Sequence, residues 1–532
     1  MKLPPRSFQI YWDAHAWVGV IAALLLHVMF FMGAFALFRP ELNRWANPAA
    51  MSAPAATPVA LQPLLTRLNQ EQPLIGKDRV AFLPEPTGLR AYWAAGGEQH
   101  EFRYAPGAGR LVPLHSDLGT FLYSMHYLGP IPQGIYLAGV SALGLLLALV
   151  TGLLIHWKDL TRQWFQFRPD RVTRTWSSDM HKVLGVFGLP YQLMYAWTGA
   201  VLSLSFLTVQ PAFVASVFHG DASAAGVARG QGPEPPEPSH RLSARLPDLD
   251  ALVARAVSEL PGLKPNWVGI EYVGDERSSV SVYGEIAGLP FGSAGVLLSA
   301  ADGAVLGVAR PLAGVFQRFE AWFFGLHYAH FGGYESKLLY ALLAFATCAV
   351  IVTGNLVWLE RRDLRRAHFG NHLLERLTAG WCAGLLLATS SAFLVNRALQ
   401  LLPETGGMEQ AAFWLVWAAG VGAALLGRSS RRVAGVELLL AGTTLALAVA
   451  IDLVTSSGGL HDPIRRAVNA ALALLGAASC AGGVRLALVS RLTGRNRGPT
   501  RAGSLSAGPQ SAARAGQAER VLVAARGQQD GN

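Results

Sequence analysis

Long apolar runs dominate the hydrophobic pattern of this chain. Eight of them are long enough to cross a bilayer, because a membrane-spanning helix needs roughly 20 apolar residues. They lie near residues 14–38, 133–156, 180–207, 336–359, 377–398, 411–427, 433–454 and 466–488. The first is too long for the apolar core of a signal peptide. The pattern therefore predicts an all-α polytopic membrane protein with about eight transmembrane helices.

Two long polar loops separate the first four apolar runs, and each has the pattern of a small α+β domain. In residues 39–130, the amphipathic ALQPLLTRLNQE precedes the strand-like RVAFLPEP, GLRAYWAA, HEFRY and RLVPL. In residues 208–335, DLDALVARAVSEL precedes NWVGIEYV, SSVSVYGEI, AGVLLSA and AVLGVA, the last two joined through Asp302-Gly303. A Pro-rich linker near 230–240 leads into the second unit, and the Gly-, Ser- and Arg-rich residues 496–532 are predicted to be a disordered tail.

Positive charge is concentrated between the apolar runs. Only 15% of the residues are charged and the formal net charge is +10. Basic clusters fall on one side of an eight-helix arrangement, at Lys2, Arg6, Lys158, Arg162, Arg168, Arg171, Arg174, Arg361, Arg362, Arg365, Arg366, Arg428, Arg431, Arg432, Arg491, Arg495 and Arg497. The positive-inside rule places both termini in the cytoplasm and both α+β domains outside a bacterial inner membrane. The same placement argues against nucleic acid as a partner.

The first 360 residues contain an internal repeat. HAWVGVIAALLLHVMFFMGA, from His15, matches HKVLGVFGLPYQLMYAWTGA, from His181, in the spacing of His, Gly and Gly-Ala. VTGLLIHW matches VTGNLVWL, and SMHY matches GLHY, in the same order. We therefore divide the chain into helix one (1–38), a first outer domain (39–130), helices two and three (131–207), a second outer domain (208–335), helix four (336–360), a four-helix extension (377–490) and the tail.

Histidines occur at both ends of the predicted four-helix bundle. An ionisable ring within an apolar span is a functional candidate by default, and neutral imidazole is a common axial ligand of haem iron. Candidates for the inner end are His15, His156 and His181, and those for the outer end are His126 and His327. Two such sets could hold two b-type haems, with His15, His181, His126 and His327 as iron ligands. The inner pairing stays open, with His156 as competitor.

Two further histidines are secondary candidates. His330 lies one turn from His327, and His27 aligns with Leu193 in the repeat, which favours a packing or hydrogen-bonding role. The glycines of the same helices have two readings: they could let a flat porphyrin approach the backbone or allow close helix packing. These glycines are Gly19, Gly33, Gly152, Gly185, Gly199 and Gly354.

Several familiar chemistries leave no trace in the sequence. Its three cysteines are far apart, and it has no CxxC, no GxGxxG opening a strand–helix unit, no Walker A loop and no HExxH. A visible nucleotide or flavin domain and zinc peptidase chemistry are thereby excluded. A redox role would need an external donor, either membrane quinol or a cytoplasmic reductase.

The ordered motifs resemble the PepSY-associated transmembrane helix family. They are WDAHAWVGV at 12–20, MHYLGPIPQGIYLAG at 125–139, TGLLIHWKDLTRQWFQFRPDR at 151–171, DMHKVLGVFGLPYQLM at 179–194 and LHYAHFGGYESKLLY at 326–340. The resemblance implies two PepSY-like outer domains and haem b, and members with this layout are similar to inner-membrane ferric-siderophore reductases. Electrons would then enter near the inner histidines and leave from the outer ones to a ferric siderophore held between the outer domains. One departure is visible, since Tyr191-Gln192 replaces the expected Phe-His.

Two other functions remain open at this point. The chain could be a non-enzymatic membrane protein whose PepSY domains bind peptides or restrain a protease, with structural histidines. Alternatively, it could be a haem-bearing membrane anchor for a separate oxidoreductase. Haem binding separates the first alternative from the others, and reduction of a ferric siderophore without partners separates the second from the reductase.

Overall fold

The computed structural model describes most of the chain. The described ranges are 4–47, 59–85, 88–105, 109–157, 173–205, 209–228, 234–243, 245–286, 293–310, 315–362, 368–399, 407–455 and 462–495. The predicted tail, the first part of the Pro-rich linker, the basic loop at 158–172 and His461 lie outside these ranges.

Helices form most of the described structure. In chain order they are α1 (Pro5–Ala36), α2 (Arg39–Ala46), α3 (Leu61–Glu71), α4 (Leu118–His126), α5 (Gly134–His156), α6 (Thr173–Phe187), α7 (Leu189–Leu204), α8 (Val209–Val217), α9 (Ala222–Ala228), α10 (Leu249–Glu259), α11 (Val315–His327), α12 (Gly333–Glu360), α13 (Phe369–Ala398), α14 (Met408–Leu426), α15 (Ser430–Thr455) and α16 (Pro463–Arg495). The strands are β1 (Arg79–Glu85), β2 (Gly88–Ala95), β3 (Glu98–Ala105), β4 (Arg110–Pro113), β5 (Leu263–Glu271), β6 (Ser279–Ile286), β7 (Ser293–Ser299) and β8 (Val305–Ala309).

Seven of the described helices, rather than the predicted eight, are long and apolar enough to cross a membrane. The third predicted span, 180–207, is wrong as a continuous helix because α6 ends at Phe187 and α7 begins at Leu189. Pro190 explains the interruption, since its ring displaces the preceding turn and it has no N–H to donate. The amide of Gln192 still bonds the Gly188 carbonyl at 2.8 Å, so the two helices continue through a kink.

The strands of both predicted outer units form one antiparallel sheet. Its order is β4-β3-β2-β1-β5-β6-β7-β8, so the first strands of the two units are neighbours at the centre. Arg79 of β1 pairs with Glu271 of β5, and Phe82 pairs with Val268. The predicted strands are confirmed, but the two units share a continuous sheet. The two units are thus joined edge to edge through β1 and β5, and the substrate position between them stays a prediction.

The helices of the two units also support each other. Helices α3 and α10 pack on the same apolar core as the central strands, which includes Leu65 and Leu249. The Asp250 carboxylate accepts from the backbone N–H groups of Leu61 and Gln62 at 2.7 and 3.1 Å, which caps α3. In return, the Gln62 side-chain oxygen accepts from the Leu249 amide at 2.7 Å. Helix α3 thus takes its cap from the other unit, whereas α10 also has its own N-cap in Asp248, which accepts from the Ala251 amide at 3.1 Å.

Two short helices that the sequence did not reveal fix the junction between the sheet and the long helices. Helix α2 follows α1, and its Asn43 donates to Thr120 of α4 at 2.9 Å. The two helices approach so closely that a Cβ on Gly119 would lie 2.6 Å from the Asn43 side chain. Asn47 donates to the Ser116 carbonyl at 2.8 Å. These contacts hold α4, and with it His126 at its end.

A buried ionic network joins helices α13, α15 and α16 to this junction. Asp452 of α15 accepts from Arg397 at 2.8 Å and from Arg465 at 2.6 Å, and Asp452 and Arg397 are both fully buried. Arg44 of α2 pairs with Asp462 at 3.0 Å. Buried charges are stable only when well paired and hydrogen-bonded. The network therefore fixes where the extension docks.

Replacing Asp452 by asparagine should destabilise the protein strongly. The change leaves two buried guanidinium groups without their shared carboxylate, and loss of one partner of a buried pair costs about 3–5 kcal/mol. The matched control is Glu71→Gln, which breaks an exposed pair with Arg67 (3.1 Å) and should cost less than about 1 kcal/mol. Denaturant titration of the detergent-solubilised protein measures both. Equal costs for the two variants would contradict the role assigned to the network.

Candidate functional site: two histidine pairs

The structure brings four of the predicted histidines together as two pairs. At the sheet end of the bundle, the His126 and His327 ring centroids are 6.1 Å apart. At the opposite end, the His15 and His181 ring centroids are also 6.1 Å apart. We call His126 and His327 the outer pair, and His15 and His181 the inner pair. His15 and Met29, whose carbonyl contacts His126, are 14 residues apart on α1, which places the pairs roughly 21 Å from each other.

His15 and His181 are each held by a hydrogen bond to a backbone carbonyl of a neighbouring helix. His15 Nδ1 lies 2.8 Å from the Ala148 carbonyl oxygen of α5, and His181 Nδ1 lies 2.9 Å from that of Val350 on α12. One turn beyond each carbonyl is a glycine, Gly152 or Gly354 respectively. A Cβ on either would lie 3.0 Å from the imidazole Cε1. The glycines thus let each ring approach a helix backbone.

The VTG motif of the repeat has a structural explanation in these contacts. The Thr151 hydroxyl donates to the Leu147 carbonyl at 2.7 Å and lies 3.1 Å from the Ala148 carbonyl. Likewise, the Thr353 hydroxyl donates to the Ala349 carbonyl at 2.6 Å and lies 3.0 Å from the Val350 carbonyl. Each threonine thus lies beside the carbonyl that a histidine contacts. The motif supplies both the hydroxyl and the space for the ring.

The outer pair is held in a related way. His126 Nδ1 lies 2.7 Å from the Met29 carbonyl, and a Cβ on Gly33, one turn later, would lie 2.9 Å from that nitrogen. His327 Nδ1 lies 2.8 Å from the Thr198 hydroxyl, which itself donates to the Met194 carbonyl at 2.8 Å. The hydroxyl replaces the backbone carbonyl as the acceptor.

These hydrogen bonds determine which ring nitrogen carries the proton. A carbonyl can only accept, and the Thr198 hydroxyl has already donated to Met194, so Nδ1 must be the N–H donor in all four histidines. The lone pair of each neutral ring is then on Nε2. An Nδ1–H bonded to a carbonyl is the arrangement that orients metal-binding histidines.

The spacing within each pair suits one metal atom between two imidazoles. Imidazole nitrogen binds metals at about 2 Å, and the ring centre lies about 1 Å further back, so opposed rings have centroids roughly 6 Å apart. Both pairs measure 6.1 Å. Within the described ranges, no group of three or more His, Cys, Asp or Glu is arranged to hold a metal ion. Two imidazoles at this spacing are the donor set that a haem would take from the protein.

Burial keeps the outer rings in the neutral form that a metal ligand needs. Desolvation lowers the pKa of His327 to about 3, with a smaller contribution from neighbouring His126. Desolvation likewise lowers the pKa of His126. A neutral ring at physiological pH keeps its Nε2 lone pair available.

A cavity of about 370 Å³ surrounds the inner pair. Helices α1, α5, α6 and α12 line it, and His156 is part of the lining together with Gly19 and Gly185. A Cβ on either glycine would meet no atom within 4 Å. Gly33, Gly152 and Gly354 accommodate imidazoles, a role that neither reading of the glycines named. Gly199 packs near Ala142 of α5, and Gly19 and Gly185 line the cavity.

The structure does not place the secondary candidates in either pair. His27 is buried and stacks on Phe31 with centroids 6.1 Å apart, on the side of α1 that contacts Cys348. His330 is exposed and its ring lies beside Tyr328, 5.5 Å away. The His27 ring contacts the backbone of Cys382 on α13 instead of a second imidazole.

An aromatic layer that sequence reasoning missed separates the two pairs. Tyr195 contacts the His327 ring at 4.9 Å and Tyr191 at 4.7 Å, and Tyr340 lies 5.4 Å from Tyr191. Gln192, which is 1% exposed, borders the inner cavity from the same helix. The unusual Tyr191-Gln192 dipeptide therefore lies between the histidine pairs.

Comparison with known proteins agrees with this architecture. Residues 12–361 of the 532 match the family described as the PepSY-associated TM region. The chain belongs to this PepSY-associated family. It is also 32% identical over 314 residues to an uncharacterized protein of Pseudomonas aeruginosa, covering 55% of this chain and 76% of the relative. Together with the apolar helices, the family assignment makes the chain a multi-pass membrane protein.

The family match ends at Arg361, and both histidine pairs lie within it. Helices α13 to α16 lie beyond it, as the sequence pattern predicted for the extension. The PepSY-associated region thus contains the complete pair geometry, and the extension packs against it.

Adding a methyl group at Gly152 should displace His15. The new Cβ would lie 3.0 Å from the ring, closer than carbon atoms normally approach, so the ring must move from the Ala148 carbonyl. We expect Gly152→Ala to lose about half of any haem that the purified wild-type protein carries, measured as the pyridine haemochrome. Gly144→Ala on the same helix is the control, because its Cβ would make ordinary contacts at 3.5 Å. Equal haem contents would refute this hydrogen-bond arrangement.

Proposed function

We propose that this protein is an inner-membrane di-haem b electron-transfer protein that reduces Fe(III) in imported ferric siderophores at the outer, sheet-bearing side. The observation that carries the proposal is the spacing of the two histidine pairs, 6.1 Å in each case, with Nδ1 of every ring engaged as a donor. The repeated VTG and histidine motifs support an internally duplicated haem-binding bundle.

In this proposal each half of the bundle holds half of each site. His15 on α1 and His181 on α6 would bind one iron, and His126 on α4 and His327 on α11 the other. Bound haem supplies reversible one-electron Fe(III)/Fe(II) chemistry. The carbonyl and hydroxyl acceptors hold the rings in one tautomer and one orientation, which limits the rearrangement that a change of charge at the iron requires.

Helix packing would keep the two sites apart from water and from each other. Tyr191, Tyr195 and Tyr340 fill the space between the pairs, and their rings exclude solvent there. His156 lines the inner cavity and would either compete as a ligand or donate a hydrogen bond to a haem propionate. The inner end then faces the donor, membrane quinol or a cytoplasmic reductase.

Aromatic and basic side chains lie beside the outer pair, and such side chains suit the binding of a ferric chelate. Tyr328 lies 5.4 Å from the His327 ring, and Tyr123 and Tyr127 stack edge to face 5.4 Å apart nearby. Arg39 lies over Tyr123 at 5.0 Å. Aromatic rings and a guanidinium group bind flat or anionic ligands such as ferric chelates. One electron received there converts Fe(III) to Fe(II), which siderophores bind far more weakly.

Haem stoichiometry tests the two-site arrangement. The purified wild type should show a b-type spectrum with about two haems per chain, and His126→Ala and His181→Ala should each lose about one, because each removes one of two axial ligands. The control is His372→Ala, an exposed histidine of α13, which should keep both. A wild type without a Soret band, after expression with ample haem supply, would overturn the proposal and favour the peptide-binding alternative.

Reduction of a ferric siderophore by the protein alone tests the outer site. The dithionite-reduced, desalted wild type should be reoxidised by a ferric siderophore, with Fe(II) trapped by a colorimetric chelator. His126→Ala should keep the inner haem but reduce the chelate at least tenfold more slowly, since the site nearest the substrate is lost. Failure of the wild type with every siderophore class tried, despite two haems, would favour the membrane-anchor alternative.

A further inference from the structure

An acidic side chain without a partner lies inside the four-helix extension. Glu437 of α15 is 4% exposed, and among the described residues neither of its carboxylate oxygens has a hydrogen-bond partner. It is seven residues from the start of α15, about 10 Å into the apolar span. An unpaired carboxylate in such surroundings is so costly that the group takes up a proton instead.

Close helix packing shapes the space around this carboxyl group. A Cβ on Gly420 of α14 would lie 3.0 Å from Glu437 Oε1, and one on Gly384 of α13 would lie 3.9 Å from it. Two glycines at a helix crossing therefore accommodate an acid rather than an aliphatic side chain. Close packing alone would be served as well by leucine or alanine, so the carboxyl group itself needs an explanation.

A second buried group, His27, contacts the same helix α13 from α1. We call the contact region of α1, α13, α14 and α15 the seam, and the helices within residues 12–361 the family bundle. His27 is 5% exposed, and within the described ranges its Nδ1 has no hydrogen-bond partner. Its ring contacts the backbone of Cys382 on α13, the helix whose Gly384 lies beside the Glu437 carboxyl group. Helix α13 thus borders both orphaned groups.

Further contacts tie the helices of this seam together. Trp381 donates to the Leu24 carbonyl of α1 at 3.1 Å, and Trp417 of α14 donates to the Trp381 carbonyl at 3.1 Å. Two thiols lie on neighbouring helices: Cys348 of α12 contacts the His27 carbonyl, and Cys480 of α16 contacts the Leu439 carbonyl. Asp452 of the same helix as Glu437 is occupied by its two arginines at the far end.

We propose that Glu437 is a proton-binding site within the membrane and that His27 is the group through which it exchanges its proton with the family bundle. A carboxylate plus one proton gives a neutral carboxylic acid, and the neutral imidazole Nδ1 offers a lone pair to receive it. Intramembrane acid and histidine pairs of this kind mark proton relays.

The purpose of the site follows from charge balance, and this step rests on the proposed function. An electron added to the bundle places negative charge in a low-dielectric interior, which favours proton uptake by a nearby base. His27 lies on α1 between His15 and Met29, whose carbonyl contacts His126, so a proton bound there can compensate charge at a level between the two pairs. The extension would thereby couple electron transfer to protonation.

Infrared spectroscopy of the full-length protein in lipid nanodiscs tests the proton site directly. The wild type at pH 7 should show a protonated carboxyl band that shifts in D₂O and is absent from Glu437→Gln. The matched control is Glu41→Gln, which removes another buried acid, one that is paired with Lys337 at 3.1 Å and should contribute no such band. If Glu437→Gln instead loses ionised-carboxylate bands, the side chain holds a cation and the proposal is overturned.

The exchange partner and the coupling have separate readouts. His27→Leu, which installs the residue found at the repeat position 193, should keep the carboxyl band but slow its exchange into D₂O severalfold. Unchanged exchange removes His27 from the site. Electrochemical reduction should cause proton uptake that falls at least twofold in Glu437→Gln, and undiminished uptake overturns the coupling. If the purified protein carries no haem, both the coupling and the proposed function are overturned. The infrared spectra of the unreduced protein still decide whether Glu437 binds a proton.

Discussion

The hydrogen bond from a histidine Nδ1 to a helix acceptor is the interaction on which the site depends. It satisfies one ring nitrogen inside an apolar bundle, sets the tautomer, and leaves Nε2 directed away from the helix. It also requires the acceptor helix to come close, and Gly33, Gly152 and Gly354 permit that approach. A buried imidazole without such a bond would cost free energy rather than provide a ligand.

The eight-stranded sheet imposes the second constraint. Because β1 and β5 pair and α3 and α10 cap each other, the two polar units hold the four chain segments that enter and leave them in a fixed relation. The short helices α4 and α11, which carry His126 and His327, are connected to that body. The sheet therefore helps to set the distance between the outer rings.

The four-helix extension contains two buried acids of the same helix in different surroundings. Asp452 is neutralised by two arginines and serves docking, because each charge has a partner of opposite sign. Glu437 lies in the same helix with no such partner among the described residues. The proposed proton-binding role of Glu437 rests on this contrast with a paired acid.

The sequence predicted seven of the long helices and every described strand, because these elements reflect local periodicity. Apolar runs indicated the helices, and alternating apolar and polar residues, with a turn at Asp302-Gly303, indicated the strands. The repeat also singled out the four paired histidines. The sequence did not predict the kink at Pro190, the single sheet or the short helices, since these features depend on how distant segments meet. Sequence determined which residues could serve chemistry; only tertiary packing decided their pairing, because the rotation of each helix is set by contacts with its neighbours.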